Sequence, residues 1–403
     1  MHKMDCDKIN ILHVMDHYTP DLGYQENYLP YEQCKLGHEV SIITSKYIPE
    51  KRKIKKQYKF NKEIYYYKGI KTYRLKSWIV LKGVGKVLLK NFMKKLKEIK
   101  PDVIHVHEIY TPLAFQCARY SKKNGIKLFI DNHIDNDNFH PDQLYKKIFV
   151  NTYKSIFFPY INRKTSKFLA VSPYSEKYLK EDMGISKNKI ALIPLGVDTK
   201  KFYPDKNKRK KIRKKLGINN NNFLIISSGF FSENKDVDVI IKSIIELKDN
   251  KVYDNLKLLL LGKFEPSYLK EIKEIIDKEK LNDKIIFHGF VDHSELSSYY
   301  NASDIGVYPG KLGITAIEAV ATSLPIILCD SPATNFIVKN DNGFSFERGN
   351  VVELTEKIIE YVNNPNLIKE HGEKAVKLIK NELSWEKIAE KSISIYKKEL
   401  GEK

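Results

Sequence analysis

Cysteine and acidic charge are the scarce components of this 403-residue chain. Its four cysteines, Cys6, Cys34, Cys117 and Cys329, are scattered, with no two at metal-ligand spacing. That argues against a disulfide framework and against a zinc site, and it fits a reducing, cytoplasmic setting. Long apolar runs are missing as well. Nothing approaches the ~18 residues that a membrane-crossing helix requires, and the opening MHKMDCDKIN has no apolar leader core. A cytoplasmic protein is expected, with peripheral contact on the inner face of the cell membrane left open. Asp and Glu number 50 against 70 Lys and Arg, a net charge of +20. Such a balance favours phosphorylated substrates, anionic lipid or nucleic acid, although a lysine-rich solvated surface reads the same way. No nucleic-acid recognition module is evident, so nucleic acid is not an expected partner.

What is present is enough apolar material for real cores. Hydrophobic residues make up 42% of the chain, and its length suits two domains. Short apolar runs alternate with helical patterns. INILHVM, EVSIIT, PDVIHVHE, KLFIDNH and KFLAVS read as strands, and NYLPYEQCKLGHEV reads as a helix. Near residue 200 the text turns basic and then Asn-rich (KNKRKKIRKKLGINNNN), which reads as a linker with a short exposed helix. The alternation then resumes with NFLIISSG, NLKLLLLGKF, KIIFHGF, SDIGVYPG and LPIILCD. This pattern predicts βαβ units and mostly parallel sheets, in two doubly wound domains whose ligand would sit between them at the strand carboxyl ends. Residues 78–99 carry apolar side chains at spacings of three and four with lysines between, the signature of an amphipathic basic helix. It reads either as a core-facing helix or as contact with an anionic membrane surface. The aromatic and basic stretch 145–164 adds to the second reading.

Several segments suggest chemistry. In IISSGFFSENKDVDVII, Gly229 allows a tight turn and close approach of a ligand. Lys235 stands at a helix entrance, where free N–H groups and the helix dipole favour anions. In YPGKLGITAIEA, Gly313, Ile314 and Thr315 open a helix, and Glu318 lies on the same face as Thr315. A carboxylate there can accept ribose hydroxyls, or Thr315 and Glu318 can form a capping box. Gly23 lies in the loop after the first strand. His133 follows a strand end between Asp131 and Asp135 and could act as a base, donate to a sugar hydroxyl, or cap a turn. His105 and His107 share a strand face but lack obvious partners as metal ligands. The Asp-x-Asp pairs at 135–137 and 236–238 are chance-level matches. No metal and no cofactor are expected.

Taken in order, LGYQENYLPYEQCKLGHEVSIIT, PDVIHVHE, VSPYS, IPLGVDTKKFYP, SSGFFSENKDVDVIIKS, IIFHGFVDHSELSSYYNASDIGVYP, GITAIEAVATSLPIILCD, NGFSF and SWEKIAEKSISIY resemble the GT4-type glycosyltransferases of the GT-B fold along nearly the whole chain. The resemblance implies two Rossmann-like domains facing across a cleft. Residues 1–200, joined by the terminal helix 384–400, would bind the acceptor, and 201–383 would bind the donor. It implies metal-independent, retaining transfer of a sugar from a UDP- or GDP-linked donor to a glycan or lipid-linked acceptor, in cell-surface polysaccharide or glycolipid assembly. By position, Gly23 matches the glycine loop near the donor phosphates and acceptor. His133 matches the histidine near the transferred sugar, and Lys235 the lysine that neutralises the diphosphate. Glu318 matches the ribose-holding glutamate, and Gly313, Ile314 and Thr315 the backbone segment at the donor. Phe290 and Val291 match the stretch beside the nucleobase.

Three positions depart from the family pattern. Lys311 stands where a first glutamate is usual, Phe230 where an arginine follows the loop glycine, and Asp236 where a glycine follows the lysine. One expectation is that Lys311 supplies the missing positive charge to the phosphates. The alternative to an active enzyme is a weak or inactive relative that binds a sugar nucleotide or a partner enzyme without transfer. A nucleotide-sugar epimerase on the same architecture fits the motifs poorly.

Overall fold

A computed structural model describes residues 8–49, 62–136, 138–139, 141, 143–339 and 341–401. The chain divides into two compact units, Met1–Leu195 with Trp385–Lys403, and Gly196–Ser384.

In the first unit the strands are β1 (Asn10–Val14), β2 (Glu39–Ser45), β3 (Ile64–Tyr67), β4 (Ile70–Leu75), β5 (Ser77–Leu81), β6 (Lys86–Leu89), β7 (Val103–Val106), β8 (Lys127–Asn132), β9 (Lys167–Ala170) and β10 (Ile190–Leu192). Eight of them form one sheet in the order β10-β9-β8-β7-β1-β2-β4-β3, parallel except for the β3–β4 pair. Its central strands are buried on both faces, and for that reason they read as continuous apolar runs. The helix Trp385–Leu400 packs on this unit. Trp385 stacks on Tyr28 of the helix Gln25–Lys35 at 5.3 Å between ring centroids.

The second unit has β11 (Phe223–Phe231), β12 (Leu256–Phe264), β13 (Ile285–Phe287), β14 (Ile305–Tyr308), β15 (Ile326–Cys329) and β16 (Gly343–Phe346). They form an all-parallel sheet in the order β13-β12-β11-β14-β15-β16, with an apolar core on each face. The order reverses between β1 and β7 in one unit and between β11 and β14 in the other. In an open α/β sheet the crevice at such a reversal, beyond the strand carboxyl ends, is where ligands bind.

The helix expected over 78–99 is not formed. Residues 77–89 make an antiparallel hairpin, β5–β6, and only Phe92–Ile99 is helical. The segment is compatible with a hairpin, since Gly85 holds φ +65° in the turn and the neighbouring Trp, Ile and Val residues suit a pleated surface, and anchoring of Val87, Lys86 and Gly85 on Asp16, Glu108 and His17 selects it. Two strands whose apolar residues alternate mimic a three-four spacing when a short turn joins them. The basic segment before β11 does contain a helix, Lys206–Lys215. It is anchored rather than loose: the Arg209 and Arg213 guanidinium groups pair with Asp304 at 2.6 and 3.2 Å, and Arg213 is buried.

Candidate active site

In the second unit the site is built at the β11/β14 reversal. Gly229 ends the apolar run of β11 and pairs in register with Gly262 of β12. A Cβ on Gly262 would lie 1.8 Å from the Gly229 carbonyl oxygen, so only glycine allows these strand ends to meet. Beyond β14, the loop carrying Lys311 runs against the short turn Glu233–Lys235. The Lys311 amide donates to the Asn234 carbonyl at 2.8 Å, and a Cβ on Gly310 would fall 2.4 Å from that same oxygen. The Lys235 ammonium donates to the Lys311 carbonyl oxygen at 2.5 Å. Burial lowers the Lys235 pKa, and the charge of Lys311 lowers it further. Two cations share a half-buried pocket, an arrangement that an anion relieves. A Cβ on Gly313 would stand 3.8 Å from Lys235 Nζ and equally far from Thr315 Oγ1. Thus Gly229, Lys235, Lys311, Gly313 and Thr315, read separately from the sequence, come together here.

The capping-box alternative for Thr315 and Glu318 does not hold. Gly313 is the N-cap of the helix Ile314–Val320, and the Thr315 hydroxyl donates to the Ser228 carbonyl at 3.1 Å. Glu318 is buried, and its Oε1 is 2.6 Å from His293 Nε2. Its Oε2 is buried with no hydrogen-bond partner among the described residues. A buried carboxylate oxygen is ordinarily satisfied, so this atom calls for an external donor. His293, which Glu318 Oε1 contacts, lines a cavity of about 320 Å³ together with Gly229, Phe230, Lys263, Phe290 and Val291. Phe230 and Phe290 are 58% and 67% exposed, and the Lys263 ammonium stands 5.2 Å from the centre of the Phe290 ring.

Of the remaining departures, Asp236 holds φ +51°, a conformation that favours glycine, and its carboxylate is tied to Arg348 at 2.6 Å. Asp238 pairs with Lys242. The pair at 236–238 is therefore committed to ion pairs. In the pair at 135–137, Asp137 lies outside the described residues.

In the first unit the polar residues gather at the β1/β7 reversal. Gly23 holds φ +81° in the loop before the helix Gln25–Lys35. His133 follows β8. Its Nε2 is 3.7 Å from Asp131 Oδ1, and its side chain is 36% exposed. Asp131 is fully buried. Its Oδ2 lies 2.7 Å from His107 Nδ1, 3.2 Å from His105 Nε2 and 3.4 Å from Gln25 Nε2, and its Oδ1 accepts the Glu108 amide at 2.8 Å. His13, on the apolar strand β1, joins His107 at 2.9 Å and Gln33 at 2.7 Å. His105 and His107 therefore do have partners. The rings of His105 and His107 are stacked 12° from parallel, and those of His13 and His107 26° from parallel. Lone pairs lie in the ring planes, so stacked imidazoles do not aim at one ion, and this is a hydrogen-bonded network. Burial drives the His105 pKa down to about 4 and lowers that of His13 as well. Reading along the chain missed His13, Gly262 and His293. Their only sequence signals were a polar residue inside an apolar strand, a glycine at a strand end, and a histidine at a helix start.

Two doubly wound Rossmann-like units, each with its polar residues at the sheet reversal, have the architecture of the GT-B fold. Anabaena Alr3699/HepE, solved in complex with UDP, shares this fold with a TM-score of 0.71 at 15% identity over 96% of this chain and 99% of that one. Residues 31–201 match the family described as glycosyltransferase family 4, and residues 208–385 match glycosyl transferases group 1. The chain belongs to this GT4-type, group 1 family of glycosyltransferases. It is 25% identical over 348 residues to alpha-monoglucosyldiacylglycerol synthase of Acholeplasma laidlawii, covering 83% of this chain and 82% of that protein. It is 26% identical over 318 residues to alpha-galactosylglucosyldiacylglycerol synthase of Streptococcus pneumoniae, covering 76% and 80%.

Proposed function

We propose that the protein moves a sugar, with retention and without a metal, from a UDP- or GDP-linked donor to a lipid-linked or glycan acceptor in glycolipid or cell-surface polysaccharide assembly. The observation that carries this reading is the contact of the Lys235 ammonium with the Lys311 loop, two cations at the β11/β14 reversal just ahead of the helix that bears Glu318, whose Oε2 has no partner among the described residues. In it, Lys235 and Lys311 take the diphosphate and Glu318 accepts the ribose hydroxyls. The segment Gly313–Ile314–Thr315 abuts the phosphates. Phe290 and Val291 flank the nucleobase, with Phe230 as a second aromatic face. Gly23 and His133 meet the phosphates, acceptor and transferred sugar. As leaving-group charge develops, fixed cations in a dry pocket stabilise it more than water does.

A thermal-shift screen against UDP-, GDP-, ADP-, CMP- and dTDP-sugars, with and without chelator, tests the donor. Selective stabilisation by one nucleotide that persists in chelator is expected, since a ligand of the folded state raises Tm by mass action. Lys311→Glu is expected to weaken that donor by about tenfold or more, because it sets a like charge against the diphosphate. Unchanged affinity would remove Lys311 from the site. No shift with any nucleotide would favour a non-transferring relative, the reading suggested by Phe230 and Lys311.

The lipid part of the proposal rests on exposed apolar residues in the first unit. Trp78, Ile79 and Leu81 of β5 are open to solvent, as are Leu144, Tyr145 and Ile148 of the helix Leu144–Thr152, with exposed Lys82 and Lys147 among them. The Tyr145 ring lies against Gly83 in the hairpin turn, joining the two groups. The hairpin's other strand is held down: Val87 N donates to Asp16 Oδ1 at 3.1 Å, Lys86 pairs with Asp16 and Glu108, and His17 bonds the Gly85 carbonyl at 2.8 Å. An apolar rim with lysines suits an anionic bilayer surface. Of the two tryptophans, Trp385 is buried, so a blue shift of emission on adding phosphatidylglycerol vesicles would report Trp78. Trp78→Ser is expected to reduce vesicle partition about tenfold. Equal partition of the two proteins would exclude this surface.

A further inference from the structure

Asp131 is the hub of the buried network in the first unit, and it touches more polar groups than its own charge requires. His105 of β7, His107 just past its end, the side-chain amide of Gln25 and the Glu108 N–H converge on one carboxylate, whose Oδ1 also faces His133. We propose that Asp131 is a positioning residue for sugar transfer: its buried carboxylate, 3.7 Å from His133 Nε2, holds that edge of the ring by charge, leaving Nδ1 to donate to the oxygens of the transferred sugar or its leaving phosphate. This rests on the transferase reading above, in which His133 meets that sugar.

The remaining partners serve to hold Asp131. The Tyr396 hydroxyl is 2.7 Å from His105 Nδ1, so when it donates there, His105 Nε2 carries its proton toward Asp131. His107 Nδ1 carries a second proton toward the same carboxylate, and His13 and Gln33 support its far side. Gln33 in turn donates to Ser392 at 2.8 Å. The helix Trp385–Leu400 therefore bears on a side chain at the end of β8 through two chains of hydrogen bonds. Replacing a link in such a network costs more than its own bond, because the carboxylate is buried.

The electrostatics agree with the geometry. Burial alone would raise the Asp131 pKa, but the charge of His107 and the bonds from His105, His107 and His133 outweigh it and hold the carboxyl well below its ordinary value. Burial alone would lower the His133 pKa. Asp131 outweighs it by hydrogen bond and charge, helped by the charges of Glu26 and Glu108, and the net shift is upward. The groups around His133 are thus Asp131 at the end of β8, Glu26 and Gln25 from the helix Gln25–Lys35, and His105, His107 and Glu108 from β7 and its end. The raised pKa extends to higher pH the range in which His133 carries both ring protons and donates rather than acts as a base, and the activity it supports is lost as pH rises through that raised pKa.

The test compares Asp131→Asn, His133→Gln and wild type with the donor identified in the screen. Asp131→Asn is expected to lower kcat about 10²-fold and to move the alkaline limb of the kcat profile toward lower pH. The donor-induced thermal shift should change far less than kcat, because Lys235, Lys311 and Glu318, which take the diphosphate and ribose in the proposed site, are untouched by the substitution. Loss of kcat in His133→Gln but not in Asp131→Asn would overturn the proposal and leave the transferase reading standing. Wild-type levels in both would remove His133, and this proposal with it, while turnover itself still supports transfer. No turnover by wild type with any donor would defeat the transferase reading first. Should Asp131→Asn fail to fold, imidazole NMR of the wild-type protein decides, with the His133 signal assigned by its loss in His133→Gln. A His133 pKa at or below about 6.5, the ordinary histidine value, overturns the proposal, and a raised one sustains it.

Discussion

Lys235→Ala is expected to lower kcat/KM by about 10²–10³-fold, the usual effect of removing one preorganised group that meets developing charge. The side chain is not a loose surface lysine. Its ammonium is held on the Lys311 carbonyl oxygen, and the turn that carries it is clamped against the Lys311 loop through Asn234 and Gly310. The same variant should fold at least as well as wild type without ligand, because removing one of two neighbouring cations relieves repulsion and burial. The pH dependence has two opposite signs. Burial and Lys311 depress the Lys235 pKa, so the unfolded chain holds that proton to higher pH than the folded one. Its contribution to stability therefore rises with pH between the depressed value and the ordinary lysine value. Donor binding falls over the same window as the cation is lost. Calorimetry of donor binding across alkaline pH, paired with thermal unfolding of the free protein, checks both. Donor affinity and turnover that survive in Lys235→Ala would exclude the diphosphate role.

Glu318→Ala is expected to weaken the donor by roughly 10- to 100-fold, which corresponds to about 1.5–3 kcal/mol for hydrogen bonds to a charged group. The loss should be read against the 2′-deoxy donor. If Glu318 Oε2 accepts a ribose hydroxyl, wild type discriminates between ribose and deoxyribose and the variant does not. The free protein should change little in stability. Its Oε2 has no partner to lose, and the partner of Oε1, His293, has a side chain 42% exposed, so water can replace that contact. A large drop in the Tm of the free protein with unchanged donor affinity would instead mark Glu318 as a structural residue.

The parts of the site that could be read along the chain are those whose logic is local. Lys235 and Gly229 were visible because a strand, a glycine turn and a helix start follow one another within β11 and the turn after it. Glu318 was visible because a lone carboxylate interrupts an apolar helix. The partners of these residues were not visible. Gly262 matters only because β12 lies beside β11, and His293 only because its helix packs against Glu318. The constellation around Asp131 draws on β1, β7, β8 and the first and last helices, with partners as far apart as Gln33 and Ser392. The hairpin at 77–89 was misread for a related reason. Its apolar spacing suits either a helix or two short strands, and what decides is the anchoring of Val87, Lys86 and Gly85 on Asp16, Glu108 and His17.

By itself, then, the amino-acid order determined the alternation of buried strands and helices, the two doubly wound units, and the glycines and charged residues at their strand ends. These follow from periodicity, from backbone freedom and from the need of a parallel strand to be apolar on both faces. Tertiary structure alone decided which of those ends converge, which carboxylate oxygen is left without a partner, and whether a basic apolar segment folds as a helix or a hairpin. Those outcomes depend on contacts between residues far apart in the chain, and hydrogen bonding and burial at such contacts outweigh local preference.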